Sequence, residues 1–429
     1  MQLQLDTKKT GILAFLVVFA FSSLGFAVLG LILGPDYRAG WDKRHELEVQ
    51  ILRPQVPDLE SWEGFWQGAG FQLLKREQGS ELRMLKGSEG SAAWVQSLEH
   101  WVLVPTAPDL DLESQLFRLC SELLSAGWVL QLEAVEHGYN LGFWSAIAGS
   151  GQKVMALQWQ IERLTPKNYQ QHAGGAIPVL GEFFDPTGFR KGTPEAPVLA
   201  IVIDDWGHAS PAAGPLLAYP LPLTVAVLPQ LALSAELAER AYASGHEVIL
   251  HQPMEALDTS LPLGPGGIYV NMEPSEIEDV LRENLADLPM AVGVSNHMGS
   301  LVTGDRVAMR TILETVRELG LFFMDSRTSS RSVVLAVAAE LGLPVGRNDL
   351  FIDNEPDVET IKTQLRAGLN LARRQGRAVV IGHVRPATAD ALWAMLPELL
   401  SSGVQLVPIS QLLFIPAVPG DDTEPVLPQ

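Results

Sequence analysis

The sequence predicts a protein of the α/β class whose second half is a parallel sheet wrapped by helices. Two observations carry this. Beyond Pro197, short apolar strands alternate with helical stretches, and several of those strands run directly into Asp or His. The strands are expected at Val198–Ile203, Leu223–Leu228, Glu247–Leu250, Ala291–Val294, Leu321–Met324 and Ala378–Ile381. Helices fit between and after them at Ser234–Ser244, Pro274–Leu288, Arg306–Leu319, Ser332–Leu341, Val358–Gln375 and Thr388–Leu400. Strand–helix alternation at this spacing builds a parallel sheet with helices outside, either open or closed into a barrel. About 220 residues carrying at least six such units fit a barrel or distorted barrel.

The first half of the chain is organised differently. Residues Ile12 to Leu33 form an uncharged run of 22 residues between Lys8-Lys9 and Asp36. Roughly 20 apolar residues cross about 30 Å of hydrocarbon. The apolar part of a cleaved signal peptide is only about 7–15 residues long. The expectation is a retained signal anchor at 12–33, after a short tail at 1–11. Lys8 and Lys9 on one flank and Arg38, Lys43 and Arg44 on the other leave the positive-inside count near a tie. We assign the remainder to the outside: a single-pass inner-membrane protein with its soluble domains in the periplasm or cell exterior.

A linker is expected at 34–59, where Pro35, Pro54 and Pro57 lie among charged residues. Residues 60–164 read as a small α+β domain. Its helix, Leu112–Ala126, carries Leu112, Leu116, Leu119, Leu123 and Leu124 at helical spacing, with Asp111 as its cap. Strand-like runs surround it at Trp94–Leu98, Trp101–Pro105, Trp128–Val135 and Val154–Ile161. The tryptophans here are read as core in preference to a sugar-stacking surface, because burial is the usual fate of Trp. A Pro/Gly-rich linker at 165–196, the sheet domain at 197–416 and an acidic tail at 417–429 complete the chain.

Composition excludes several functions. Of 429 residues, 47% are hydrophobic and 19% charged, which excludes a disordered chain. The net charge of −20 argues against nucleic acid as a partner, because a phosphate backbone selects basic surfaces. Cys120 is the single cysteine, so no intrachain disulfide or Cys-based zinc site can form. The sequence contains no G-x-S-x-G elbow, Walker A loop or H-E-x-x-H helix.

The polar strand ends carry the chemistry. Val198–Ile203 leads into Asp204-Asp205, Glu247–Leu250 into His251, and Ala291–Val294 into Asn296-His297. Leu321–Met324 leads into Asp325, and Ala378–Ile381 passes through Gly382 into His383. In parallel sheets chemistry collects at the carboxyl ends of the strands. Asp and His without Cys suit a borderline divalent metal such as zinc, which polarises a carbonyl and lowers the pKa of bound water. Successive strand residues point to opposite sides, so adjacent aspartates divide naturally into one ligand and one general base. A His on a remote strand then serves as acid.

The stretches Ile203-Asp204-Asp205-Trp206-Gly207, Gly245 through Glu255 (GHEVILHQPME) and Gly293 through Ser300 (GVSNHMGS) resemble the divergent polysaccharide deacetylase family. So do Met324-Asp325-Ser326-Arg327-Thr328 and Ile381-Gly382-His383. The family is a distant branch of the NodB-type carbohydrate esterases. The resemblance covers about Pro197 to Leu413. It implies a distorted (β/α) barrel that uses a divalent metal, zinc by preference, to remove acetyl groups from the N-acetylated sugars of a cell-envelope glycan. It further implies Asp204 as base, Asp205 and His251 as metal ligands, and His383 as acid. Where the parent motif is H-x-x-x-H, this sequence reads His251-Gln-Pro-Met-Glu255. Either Glu255 or His297 therefore completes the metal set, and we favour His297. Asp325 is expected to orient a catalytic neighbour or substrate, and Arg327 or Arg385 to be structural or to bind substrate. A loop around Pro262–Gly267 is a candidate lid.

Overall fold

The computed structural model describes residues 49–52, 60–87, 90–126, 128–135, 137–146, 153–172 and 196–416. The expected anchor at 12–33 and the tails at both ends lie outside these residues, as does most of both linkers. Among the described residues no helix is long and apolar enough to cross a membrane. That finding overturns the assignment of the chain as a single-pass inner-membrane protein.

The chain divides into two compact units, with the division at Leu164/Thr165 and Thr106–Asp109 grouped with the second. In the first unit, β1 (Val49–Leu52), β2 (Phe71–Gly87), β3 (Gly90–Pro105), β4 (Val129–Val135), β5 (Gly138–Ala146) and β6 (Lys153–Arg163) form one sheet. Its order is β1-β3-β6-β5-β4, and β2 also pairs with β3. Helices α1 (Glu60–Gly68) and α2 (Leu112–Ser125) share a core with it. Asp111 caps α2 by accepting the amides of Glu113 and Ser114, as its position suggested. Trp101 and Trp159 are fully buried, and Trp62 stacks on Trp159 at 5.0 Å. These tryptophans are core.

Four elements of this unit, β1, α1, β2 and β5, were not expected from the sequence. Val49–Leu52, read as linker, is a strand paired in parallel with Ser91–Trp94. The long strand β2 escaped notice because its charged residues hide the alternation. In the folded sheet they pair across strands, with Arg76 3.1 Å from Glu99 and Arg83 2.9 Å from Gln96.

The second unit opens with α3 (Pro166–His172), a helix where linker was expected. Nine parallel strands follow: β7 (Val198–Trp206), β8 (Thr224–Val227), β9 (Glu247–Met254), β10 (Gly293–Met298), β11 (Phe322–Asp325), β12 (Val345–Arg347), β13 (Leu350–Phe351), β14 (Arg377–His383) and β15 (Gln405–Leu406). The connecting helices are α4 (Ala213–Leu217), α5 (Ser234–Ser244), α6 (Pro274–Ala286), α7 (Arg306–Glu318), α8 (Val334–Leu341), α9 (Val358–Gln375) and α10 (Pro386–Ser401).

The sheet order is β12-β11-β10-β9-β8-β7-β14-β13, with β15 added beside the first residues of β7. The two ends of this path are consecutive in sequence. Asn348 donates its amide to Asp325 on β11, and Asp349 donates its amide to Val379 on β14. Three residue steps span at most about 11 Å, so the sheet edges curl to within that distance without a ladder between β12 and β13. The expected barrel is therefore a strongly curled parallel sheet closed by a chain crossing.

The interior follows the strand alternation. Val198, Ala200 and Val202 of β7 share a core cluster with Ala226, Ile249, Met324, Val379 and Ile381. Asp204, His251 and His383 continue the same alternation on β7, β9 and β14, one residue pair past the last apolar member. The apolar plug thus ends where the titratable groups begin.

A histidine in the wall makes this unit acid-sensitive. His246 is buried, its Nδ1 accepting the Leu223 amide and its Nε2 donating to the Leu217 carbonyl. Burial pushes its imidazole down to about 4 from 6.5. The unfolded chain takes up this proton near pH 6.5 and the folded chain only near pH 4. Stability is therefore complete above 6.5 and falls by about 3 kcal/mol as the pH drops to 4. Denaturant unfolding at several pH values should show a shallower slope across that window for His246→Asn; an unchanged slope removes His246 as the source.

Candidate metal centre and active site

The paired aspartates do not obey the simple alternation expected of them. Asp205 has φ +67°, a left-handed conformation, and the register of β7 against β8 shifts between Ile203 and Trp206. This kink turns Asp205 back toward the side that Asp204 faces. Asp204 Oδ2 and Asp205 Oδ1 each lie 3.5 Å from the same His251 Nε2. A non-glycine residue held at positive φ beside such a cluster is strain of the kind that folds concentrate at functional sites.

His297 reaches the same point from the end of β10. Its Nδ1 is 2.9 Å from Asp205 Oδ1 and 3.3 Å from His251 Nε2. Beyond it the chain turns sharply at Met298 (φ +53°) and Gly299 (φ +82°). Buried Asn296 fixes that turn, donating to the Met298 carbonyl and accepting the Ser326 amide. Neighbouring Ser295 lies 2.8 Å from His251 Nδ1. This leaves His251 Nε2 to face the carboxylates, the usual way an outer partner orients a ligand imidazole.

Asp205, His251 and His297 each offer one atom to a common point, all within 4.8 Å of one another. Metal–ligand bonds of about 2.0–2.1 Å in a tetrahedral array place ligand atoms roughly 3.3 Å apart. The separations of 2.9, 3.3 and 3.5 Å bracket that value. Asp204 Oδ1 is buried and accepts no hydrogen bond. Converging lone pairs with an orphaned carboxylate oxygen beside them fit a divalent cation. Burial pushes the Asp205 carboxyl up, but the two imidazoles outweigh it and hold it well below the usual range. Burial raises the Asp204 carboxyl, against the pull of His251 and His383.

His383 is the register partner of Asp204 on the adjacent strand. Its Nδ1 donates to Asp353 Oδ1 at 2.7 Å, leaving Nε2 free for proton transfer. Asp353 is fully buried and also accepts the His383 amide and the Thr388 hydroxyl, each at 2.7 Å. Burial disfavours the imidazolium, but the Asp353 bond and charge outweigh it and raise His383 above its ordinary value. The sequence reading missed Asp353. It follows β13, a two-residue strand too short to show alternation.

Other expected residues occupy supporting places. Both carboxylate oxygens of Asp325 serve its own loop, accepting the Arg327 amide and the Ser332 hydroxyl. Asp325 also has the opposite strand parity to Met324, which belongs to the interior cluster. Arg385 donates to the Asp353 carbonyl and Arg327 to that of Asn348. Glu255 is absent from the metal-compatible group; its carboxylate accepts the Val270 amide at 3.0 Å.

The curled parallel sheet carries at its carboxyl rim an Asp-His-His group that could hold a metal ion and a separate His–Asp pair. The chain belongs to the divergent polysaccharide deacetylase family, whose description matches residues 201–413. It is 36% identical over 220 residues to the uncharacterized protein YibQ of Escherichia coli (strain K12), covering 51% of this chain and 68% of that one. An uncharacterized protein of Haemophilus influenzae (strain ATCC 51907 / DSM 11121 / KW20 / Rd) is 31% identical over 214 residues, 50% of this chain and 76% of its own. Among solved structures, the uncharacterized protein ATU2773 from Agrobacterium tumefaciens C58 aligns at 21% identity with a TM-score of 0.49, covering 56% of this chain and 99% of that one.

Proposed function

We propose that the second unit is a metal-dependent hydrolase that cleaves the acyl amide of an N-acylated sugar within a glycan. The observation that carries this is the convergence of Asp205, His251 and His297 beside a buried carboxylate, Asp204, that has an unpartnered oxygen. The three converging residues would hold the cation, with zinc suited to the donor set. When bound, such an ion supplies Lewis-acid polarisation and a nucleophile at neutral pH.

The remaining work falls to the protein's own groups. Asp204 takes a proton at its free carboxylate oxygen, in a pocket dry enough to favour the protonated form. His383 offers a proton from Nε2 to the departing amine, with Asp353 fixing its tautomer through Nδ1. Raised above its ordinary value, His383 keeps that proton further into the neutral range. Asp325 holds the loop after β11 that carries Ser326, whose amide anchors Asn296 and through it the His297 turn.

The direct test is release of carboxylate from N-acylated glucosamine oligomers by the zinc-loaded protein. Release that disappears with a chelator and returns with zinc supports the reading; none at any zinc level refutes it. Asp353→Asn should lower kcat by about 10²-fold through loss of tautomer control. It should also move the basic limb of the pH–rate profile to lower pH, because the group that raises His383 is gone. A limb that stays in place removes His383 from the acid role.

A further inference from the structure

Beside the metal-compatible cluster lies a cleft of about 280 Å³ that touches His297. Apart from His297 and exposed His208, its lining is entirely Leu, Pro and Gly, including Leu228, Leu231, Pro253 and Leu263. Beyond those two imidazoles it contains no aromatic ring, amide side chain or carboxylate, the groups that grip sugar hydroxyls and ring faces. Its volume is nearly twice that of the roughly 150 Å³ apolar cavity that accepts benzene. An acetyl methyl group fills only a small part of it.

The cleft is also rigidly built. One wall is the 262–267 loop, which carries Pro262 and Pro265 and is pinned from within. Gln252 and Asn284, both fully buried, donate to the Gly266 carbonyl at 2.7 and 2.8 Å. Asn284 also donates to Gln252 and accepts from exposed Gln230, which extends the chain of amides to the surface. Gly266 sits at φ +65°, where a Cβ would come within 2.3 Å of Asn284 Oδ1. The loop is further tied to the end of β9 by the Ile268–Pro253 and Val270–Glu255 bonds. A loop held this way is a fixed wall and not a lid, so the cleft is formed in advance of its ligand.

We propose that this cleft receives an apolar acyl chain longer than acetyl, borne on the amide that the metal-compatible site hydrolyses. The inference rests on the hydrolase reading above. Water adds to the amide carbonyl, the C–N bond breaks, a proton passes to the amine, and the chain leaves as its carboxylate. Pro253 lies two residues beyond His251, and His297 belongs to both the cluster and the cleft. An acyl chain in the cleft therefore places its carbonyl end at the cluster.

The test compares N-acetyl-, N-butanoyl- and N-hexanoyl-glucosamine as substrates of the zinc-loaded protein. At about four-fold per buried methylene, discounted for an open mouth, hexanoyl should exceed acetyl in kcat/KM by at least about 10-fold. Leu231→Trp, which fills the cleft from its partly exposed side, should lower the hexanoyl-to-acetyl ratio by about 10-fold or more. Pro265→Trp, at an exposed position of the pinned loop, should do the same. Because the readout is a ratio, partial misfolding does not imitate it. Preference for acetyl in the wild type overturns the inference and leaves the hydrolase reading intact. If no substrate is turned over, calorimetric binding decides. Tighter binding of N-hexanoyl-glucosamine than of N-acetylglucosamine keeps the cleft assignment while the hydrolase reading fails, and equal or weaker binding overturns the cleft assignment too.

Discussion

Asp204→Asn is expected to lower kcat/KM by about 10²–10⁴-fold while zinc content stays at the wild-type level. Asn has nearly the same shape as Asp, so the dry pocket at the end of β7 keeps its packing. What disappears is the negative charge of a buried carboxylate whose Oδ1 accepts no hydrogen bond. The three residues that offer atoms to a common point do not include Asp204, so the cation site survives. Turnover equal to wild type would remove Asp204 from the mechanism. Zinc lost together with activity would make it a ligand instead of a base.

Elemental analysis should find about one equivalent of zinc in the wild-type protein, very little in His297→Ala, and the wild-type amount in Glu255→Ala. Removing His297 takes away the donor that sits 2.9 Å from Asp205 and 3.3 Å from His251. Loss of one of three protein ligands lowers affinity by several orders of magnitude, against the 10–100-fold typical of outer partners such as Ser295. Glu255 spends its carboxylate on the Val270 amide. Its loss should loosen the 268–270 segment and leave the ion in place. The reverse result, zinc kept without His297 and lost without Glu255, would place the third ligand immediately after β9.

These expectations rest on residues that differ in how visible they are in the sequence. The apolar runs before Asp204, His251, His297 and His383 announce themselves, because each strand is short, buried on both faces and bounded by turns. The partners that orient those residues do not. Ser295 and Asn296 look like ordinary strand residues, and Asp353 follows a strand of two residues. Their importance comes from contacts with residues distant in sequence: Ser295 with His251, Asn296 with Ser326 and Asp353 with His383. Gln252, Asn284 and Gln230 are equally inconspicuous. Folding brings them together around the Gly266 carbonyl, which makes a wall of a loop that its Pro and Gly content suggested was a lid.

The sequence by itself determined the α/β class, the second unit's strand–helix order, and which residue types stand at the carboxyl ends of its strands. Periodicity and turn residues are local, and local pattern is enough for those. Three things were decided only in the tertiary structure. The sheet curls until its edges are joined by Asn348 and Asp349 instead of closing as a regular barrel, because closure depends on the summed twist and register of every strand. Asp205 adopts a left-handed conformation that swings its carboxylate to the side of Asp204, against the alternation its neighbours obey. Glu255 fastens a loop while His297 from the next strand turns toward Asp205 and His251. Each is a matter of direction in space, and direction at a strand end is set by packing between elements far apart in the chain.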